Sequence, residues 1–243
     1  MGQCRIAHSF LLLLAGILLF LSIPNAAADE PITKINGTFY IVNDGNKPHL
    51  EGNVGVWLRG LPYSGAMVMV NDFWKLPASG GSSAYYTNSS IPLPAMRLGV
   101  PFNVKITIPA IPPAGGSMFF NTSGSISVIA NITEPREGST IILASHPYLA
   151  VRWAFSGATP GNTLLHIEDA VTHARVIDTL DVVRVDHVYL RREHFTPGRR
   201  YVIVLVTDNE PMKFAGLGSA AVLATPDSII GCFQICRRYF TAL

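Results

Sequence analysis

The 243-residue chain carries 18 Lys and Arg against 16 Asp and Glu, a formal net charge of +2 that excludes a nucleic-acid-binding stripe or an acidic block as its organising feature. Charged residues are only 14% and hydrophobic residues 49%, which excludes a disordered chain and supplies apolar material for a packed core. With 21 glycines, 17 prolines and no sustained helical period capped at both ends, the composition is that of a turn-rich β protein.

Residues 1–10 carry Arg5 and no acid, residues 10–21 are an unbroken apolar run, and Pro24 precedes Ala26-Ala-Ala28. These are the n-region, h-region and small-residue site of a secretory signal, too short for a spanning helix of about 20 residues. Cleavage is expected after Ala28, which removes Cys4 and leaves no stable membrane span. The product is then secreted, or periplasmic or surface-held if the source is bacterial. Without Arg5 the balance is 17 bases against 16 acids, so the exported chain is nearly neutral.

Residues 29–133 are expected to form a first β domain. Runs at 38–42, 52–58, 66–70, 102–108 and 126–132 have strand composition, separated by Gly- and Pro-rich turns. Trp57 alternates with Val54 and Val56 and is assigned to the core. The Gly-, Ser- and Tyr-rich segment 72–90 carries Phe73, Trp74, Tyr85 and Tyr86, a candidate platform for sugar or another ligand. Packing of that loop on a neighbouring domain is the rival reading. Asn36-Gly-Thr, Asn88-Ser-Ser, Asn121-Thr-Ser and Asn131-Ile-Thr fit the acceptor pattern for N-glycosylation and would mark exposed positions in a eukaryotic secretory pathway. The run from Gly65 to Asn71, followed by Pro92-Leu-Pro94 and the 102–108 strand, faintly resembles carboxypeptidase-regulatory-like or transthyretin-like modules, from which only a fold class follows.

Residues 134–226 read as a second domain, joined by a linker of a few residues. Leu149, Val151, Trp153 and Phe155 alternate with smaller or polar residues, a two-residue period that requires one buried face. Tyr201, Ile203 and Leu205 alternate with Val202, Val204 and Val206, as in a central strand covered on both sides. Shorter strands are expected at 164–168, 175–180 and 186–190. The order Pro135-x-x-Gly138, a strand with Trp153, then Phe195-Thr-Pro-Gly-Arg-Arg-Tyr201 resembles fibronectin type III and related immunoglobulin-like domains over roughly ninety residues. The resemblance implies that Trp153 is a core anchor and that the Tyr201 hydroxyl ties a corner back to backbone. The fold class expected is therefore all-β, two tandem immunoglobulin-like β-sandwiches after a cleaved signal peptide.

Candidates for chemistry are few. His166, Glu168, Asp169 and His173 are the densest metal-capable group, but His166 and Glu168 alone share a strand face, fewer ligands than a metal site needs. They are read as a solvated strand and turn, and no metal or cofactor is expected. His187 and His194 have no serine in a Gly-x-Ser-x-Gly context to work with, so no catalytic residue is assigned. Residues 227–243 are read as a tail in which Cys232 and Cys236 form a small disulfide loop. The function expected is non-enzymatic adhesion, assembly or ligand binding through sandwich loops, with a protein or glycan partner and no nucleic acid. The alternative is a carbohydrate-binding accessory protein or an envelope enzyme acting on glycans.

Overall fold

A computed structural model describes residues 33–43, 48–58, 61–63, 65–71, 85–109, 117–214 and 228–243, with the side chains of 33, 62, 85–89 and 118 left aside. Of two compact units, Met1–Pro31 and Ile32–Leu243, all the described residues belong to the second. The expected signal and its cleavage point lie outside them.

The strands are β1 (Thr33–Asn43), β2 (His49–Leu58), β3 (Leu61–Pro62), β4 (Met67–Val70), β5 (Tyr85–Pro92), β6 (Pro101–Ile108), β7 (Met118–Ser125) and β8 (Val128–Glu134). They continue as β9 (Ser139–Ile141), β10 (Tyr148–Gly157), β11 (Thr163–Asp169), β12 (Arg175–Asp181), β13 (His187–Arg191), β14 (Arg200–Lys213) and β15 (Ile229–Ala242). Nine of them form one long sheet in the order β12-β11-β14-β15-β1-β2-β3, with β5 also on β2 and β9 also on β15. Two three-stranded sheets, β4-β6-β7 and β13-β10-β8, complete the fold. The fold is all-β, with sheets stacked as in immunoglobulin-like sandwiches. No helix among the described residues is long and apolar enough to cross a membrane.

Each small sheet shares a hydrophobic core with the long one. In the first core, Val68 of β4, Val104 and Ile106 of β6 and Phe120 of β7 meet Phe39 of β1 and Leu50 of β2. In the second, Ile132 of β8 and Val151 and Trp153 of β10 meet Ile167 of β11, Ile203 of β14 and Phe240 of β15. The period-two patterns cause this directly. Phe102, Val104, Ile106 and Ile108 are buried while Lys105 between them is exposed, so β6 can offer only one face to a core.

Two strands run through both cores. β15 gives Ile230 and Cys232 to the first and Cys236, Phe240 and Ala242 to the second, all on one parity. The expected tail at 227–243 is therefore corrected: Ile229–Ala242 is an inner strand, antiparallel to β14 and parallel to β1 and β9. On β14 the core-facing parity is odd at Tyr201, Ile203 and Leu205 and even at Met212, with Phe214 just beyond the strand keeping the even phase. The change of phase is a bulge between Asn209 and Met212, where Pro211 has no N–H to give the ladder. One extra residue thus returns the strand's apolar side to the first core.

Between the cores the sheet buries amides instead of hydrocarbon. Asn209 Oδ1 accepts from Ser127 N at 2.8 Å and Ser127 Oγ at 2.9 Å, and its Nδ2 donates to Ser125 O at 2.9 Å. Gln234 Oε1 accepts from Ala130 N at 2.6 Å. Asn209 thus satisfies the backbone where the chain crosses from β7 to β8, and Gln234 takes an N–H of β8 itself.

Both anchors implied by the fibronectin type III resemblance are found. Trp153 is 3% exposed, and the Tyr201 hydroxyl accepts from Thr196 N at 2.7 Å, with Phe195 and Phe240 edge-on or tilted at 5.2 and 5.5 Å. The expected double covering of β14 holds at Val202 and Val204 but not at Val206, which is half-buried. Val202 and Val204 on its outer side are 4% and 5% exposed, flanked in register by Glu168 and Tyr239 and by His166 and Arg237.

Candidate ligand-binding face

The face of the long sheet turned away from the small sheets carries the most organised group of side chains among the described residues. One register row crosses four strands and reaches the residue before a fifth. Glu51 of β2 stands opposite Tyr40 of β1, Tyr40 opposite Phe233 of β15, and Phe233 opposite Asp208 of β14. Asp208 in turn accepts from Asn162, just before β11, through Oδ2 from both N and Nδ2 at 2.9 Å. The four strand residues lie on the outer parity because their strands bury the alternate residues, Leu50, Phe39, Ile41, Gln234 and Thr207.

The two rings form a shelf. Their centroids are 6.0 Å apart and their planes differ by 32°. Phe233 reclines because Gly231 lies beneath it: a Cβ there would come within 3.3 Å of Phe233 Cε2. Trp57 reclines over Gly55 in the same way, on the same face of β2. This corrects the assignment of Trp57 to the core, since it is half-buried on the parity opposite Val54 and Val56. Alternation fixed its parity relative to its neighbours and left open which parity faced inward.

At one end the carboxylate of Glu51 is 2.9 Å from His49 Nε2. At the other, Asp208 bounds a depression of about 230 Å³ with Asn162, Leu164, Val206 and Phe233. Its bonds to Asn162 use only Oδ2, so the second oxygen remains an acceptor. The arrangement offers flat apolar faces in line with hydroxyl-seeking oxygens. It contains no nucleophile and base in hydrogen-bonding order.

Further along the face, His166 Nε2 lies 3.0 Å from Glu168 Oε1. Burial lowers the His166 pKa from its ordinary 6.5; Glu168 opposes this and Arg175 and Arg237 reinforce it. Asp169 points the other way, accepting from Val171 N and Thr172 N at 2.9 Å and pairing with Arg199 at 3.1 Å. These bonds, that from Thr172 first, hold its carboxyl at about 2. His173 closes the same turn with a positive φ of 57°. The four residues are thus split between two faces and a turn, and the described residues hold no cluster of three or more metal-capable groups.

Phe73 and Trp74 lie outside the described residues. Tyr85 and Tyr86 stand at the start of β5 in register with Val54 and Asn53, so their strand belongs to the sheet that carries the aromatic row. Of the sequons, Asn121 and Asn131 are exposed, Asn131 accepting from Arg238 Nη2 at 2.9 Å, while Asn36 is half-buried in β1 between β15 and β2. Asn88 lies in β5, its side chain outside the description. Cys232 and Cys236 are buried free thiols, which corrects the expected disulfide. Four residues of extended chain separate their Cα atoms by about 13 Å, whereas a disulfide needs about 4.4–6.8 Å. Burial also raises both thiols, Cys232 to about 11.

Sequence reading missed Tyr40, Phe233, Asp208 and Glu51 as a group. No local signal could have joined them, because the β1–β15 pairing unites opposite ends of the described chain.

No family model matches the chain, and no curated protein matches it. Among solved structures it is similar to the fibronectin(III)-like modules of Clostridium thermocellum CbhA, at 13% identity over 85% of this chain and 93% of that chain, with a TM-score of 0.24.

Proposed function

We propose that this is an exported, non-enzymatic binding protein that holds its partner on the outer face of the long sheet. The observation that carries the reading is the Glu51-Tyr40-Phe233-Asp208 row, where two half-exposed rings sit in register between two carboxylates. Placing aromatic surface in water has a free-energy cost that a core position would avoid, and exposed apolar ground rimmed by polar groups is characteristic of contact sites. β5, which holds Tyr85 and Tyr86, extends the same sheet beyond β2.

The outer face of the β4-β6-β7 sheet, with exposed Met67 and Phe119 around a depression of about 380 Å³, provides a control. Tyr40→Ser with Phe233→Ser should abolish capture of native partners from the source organism's extracellular fraction while Phe119→Ser leaves it intact, both variants retaining wild-type circular dichroism. Undiminished capture by the folded double variant would overturn the assignment of this face. Mass analysis of exported material should find Asp29 at the start; a first residue far from it would sink the export reading.

A further inference from the structure

We infer that the ligand of the Tyr40–Phe233 shelf is a carbohydrate, specifically a neutral oligosaccharide laid across the strands; this rests on the binding-face reading above. A pyranose has two chemically distinct surfaces. Its ring faces present C–H groups, and its hydroxyls radiate around the rim. The row repeats that division. Tyr40 and Phe233 offer ring faces inclined by only 32°, and Asp208, Asn162 and Glu51 stand at the ends, where rim hydroxyls would fall. A carboxylate accepts from hydroxyls at up to four lone-pair sites, and an amide both donates and accepts. From Glu51 to Asn162 the row crosses four strand spacings, about 19 Å in all. That is longer than any single sugar ring, so the site suits a chain of them.

Trp57 extends the same logic. The ring lies over Gly55, whose register partner Asn36 is four residues before Tyr40 along β1. A second flat platform therefore lies about 13 Å from the first along the strands. The reclining of Phe233 and Trp57 over glycines keeps both rings low and their faces open, as stacking requires.

Two other occupants fit less well. A cationic ligand would be drawn to the carboxylates, but recognition of an ammonium by aromatic residues places the ion over a ring face within about 6 Å and gains from walls on several sides. Two rings 6.0 Å apart and tilted by 32° do not wall an ion in on several sides, and Arg237, four residues along β15 from Phe233, adds repulsion. An apolar protein surface would strip water from Glu51 and Asp208 without giving them partners, which is costly. Sugar hydroxyls replace that water with hydrogen bonds.

The test uses the chain from Asp29 on an array of neutral oligosaccharides, followed by calorimetry with cellohexaose, mannohexaose and chitohexaose. At least one class of neutral glycan should bind. Phe233→Ala, Tyr40→Ala and Asp208→Ala should each weaken it by about tenfold or more, Phe233→Trp should restore it, and Tyr239→Ala, elsewhere on the face, should leave it unchanged. Gly231→Val, which props Phe233 upright in a strand that favours valine, should weaken binding as Phe233→Ala does. A blank array, or glycan binding indifferent to Phe233→Ala and Tyr40→Ala in folded protein, overturns the carbohydrate assignment. If the array is blank while partner capture is still lost in the Tyr40 and Phe233 double variant, the face remains a binding surface for another ligand. Choline and a lysine-rich peptide, run beside the glycans, would reveal a cationic one.

Discussion

Tyr201 shows how a single hydroxyl sets a corner. It is bonded to Thr196, five residues upstream, while its ring lies between Phe195 and Phe240. Tyr201→Phe keeps the ring and should cost about 0.5–1.5 kcal/mol by chemical denaturation. Trp153→Ala should cost about 3–5 kcal/mol, since it empties a fully packed position. An unchanged melting temperature for the tryptophan variant would contradict its place in the core. These roles were legible in the sequence because they are local: a Pro-Gly turn ahead of a strand-opening tyrosine is read within seven residues. Asp169 was legible only as a polar residue in a turn. Its carboxyl sits near 2, below the ordinary 3.8, so the stability it contributes is fully present above about pH 4 and is lost as pH falls toward 2. Asp169→Asn should therefore raise the acid-unfolding midpoint, and its deficit against wild type should vanish near pH 2. His166 also has a lowered pKa, through burial, so its neutral form is the one the fold favours. Stability should be full above pH 6.5 and fall as acid protonates the unfolded chain first, and His166→Gln should flatten that part of the pH profile.

At the scale of the element, β15 was the least legible in sequence. Its inward residues Ile230, Cys232, Gln234, Cys236, Phe240 and Ala242 mix hydrocarbon with thiol and amide, and Arg237-Arg238 interrupts the pattern near its end. Alternation of hydrophobicity cannot show a buried glutamine whose role is to hold another segment's backbone. Gln234→Ala should cost about 1–3 kcal/mol, because Ala130 N–H is left buried without an acceptor. Its thermal unfolding relative to wild type checks this. The cysteines were equally deceptive, since i and i+4 is close spacing in a loop and distant in a strand. In the absence of reductant, the exported chain should titrate two thiols in denaturant and react very slowly when native, because burial raises both pKa values and disfavours the reactive thiolate.

At the scale of the whole molecule, the two cores share β14 and β15 and so cannot order independently. Truncating Phe102 in one core and Ile167 in the other, each to Ala, should shift one common calorimetric transition, and no second transition should separate. The sequence reported strand content well, since alternation is written in neighbouring residues. It reported the sharing of strands poorly, since that depends on pairing between positions as far apart as Ile35 and Ser228, 193 residues in sequence, whose backbone N–H and hydroxyl meet at 3.0 Å. The binding face belongs to this second kind of information. Tyr40 looked like ordinary strand material and Phe233 like part of a tail until β1 and β15 were laid side by side.

That pairing also governs how the molecule would bear force. β1 and β15 run parallel over eight register pairs, from Asn36 with Ile229 to Asn43 with Cys236. Tension applied between Thr33 and Ala242 would slide one strand along the other, loading the interstrand bonds together, whereas the antiparallel β1–β2 hairpin pulled from Thr33 and Leu58 would open one bond at a time. Single-molecule pulling should find a distinctly higher rupture force for the first pair of handles than for the second. A protein that grips a partner on this sheet would then be stiffest along the line joining the two ends of the sheet's central pair.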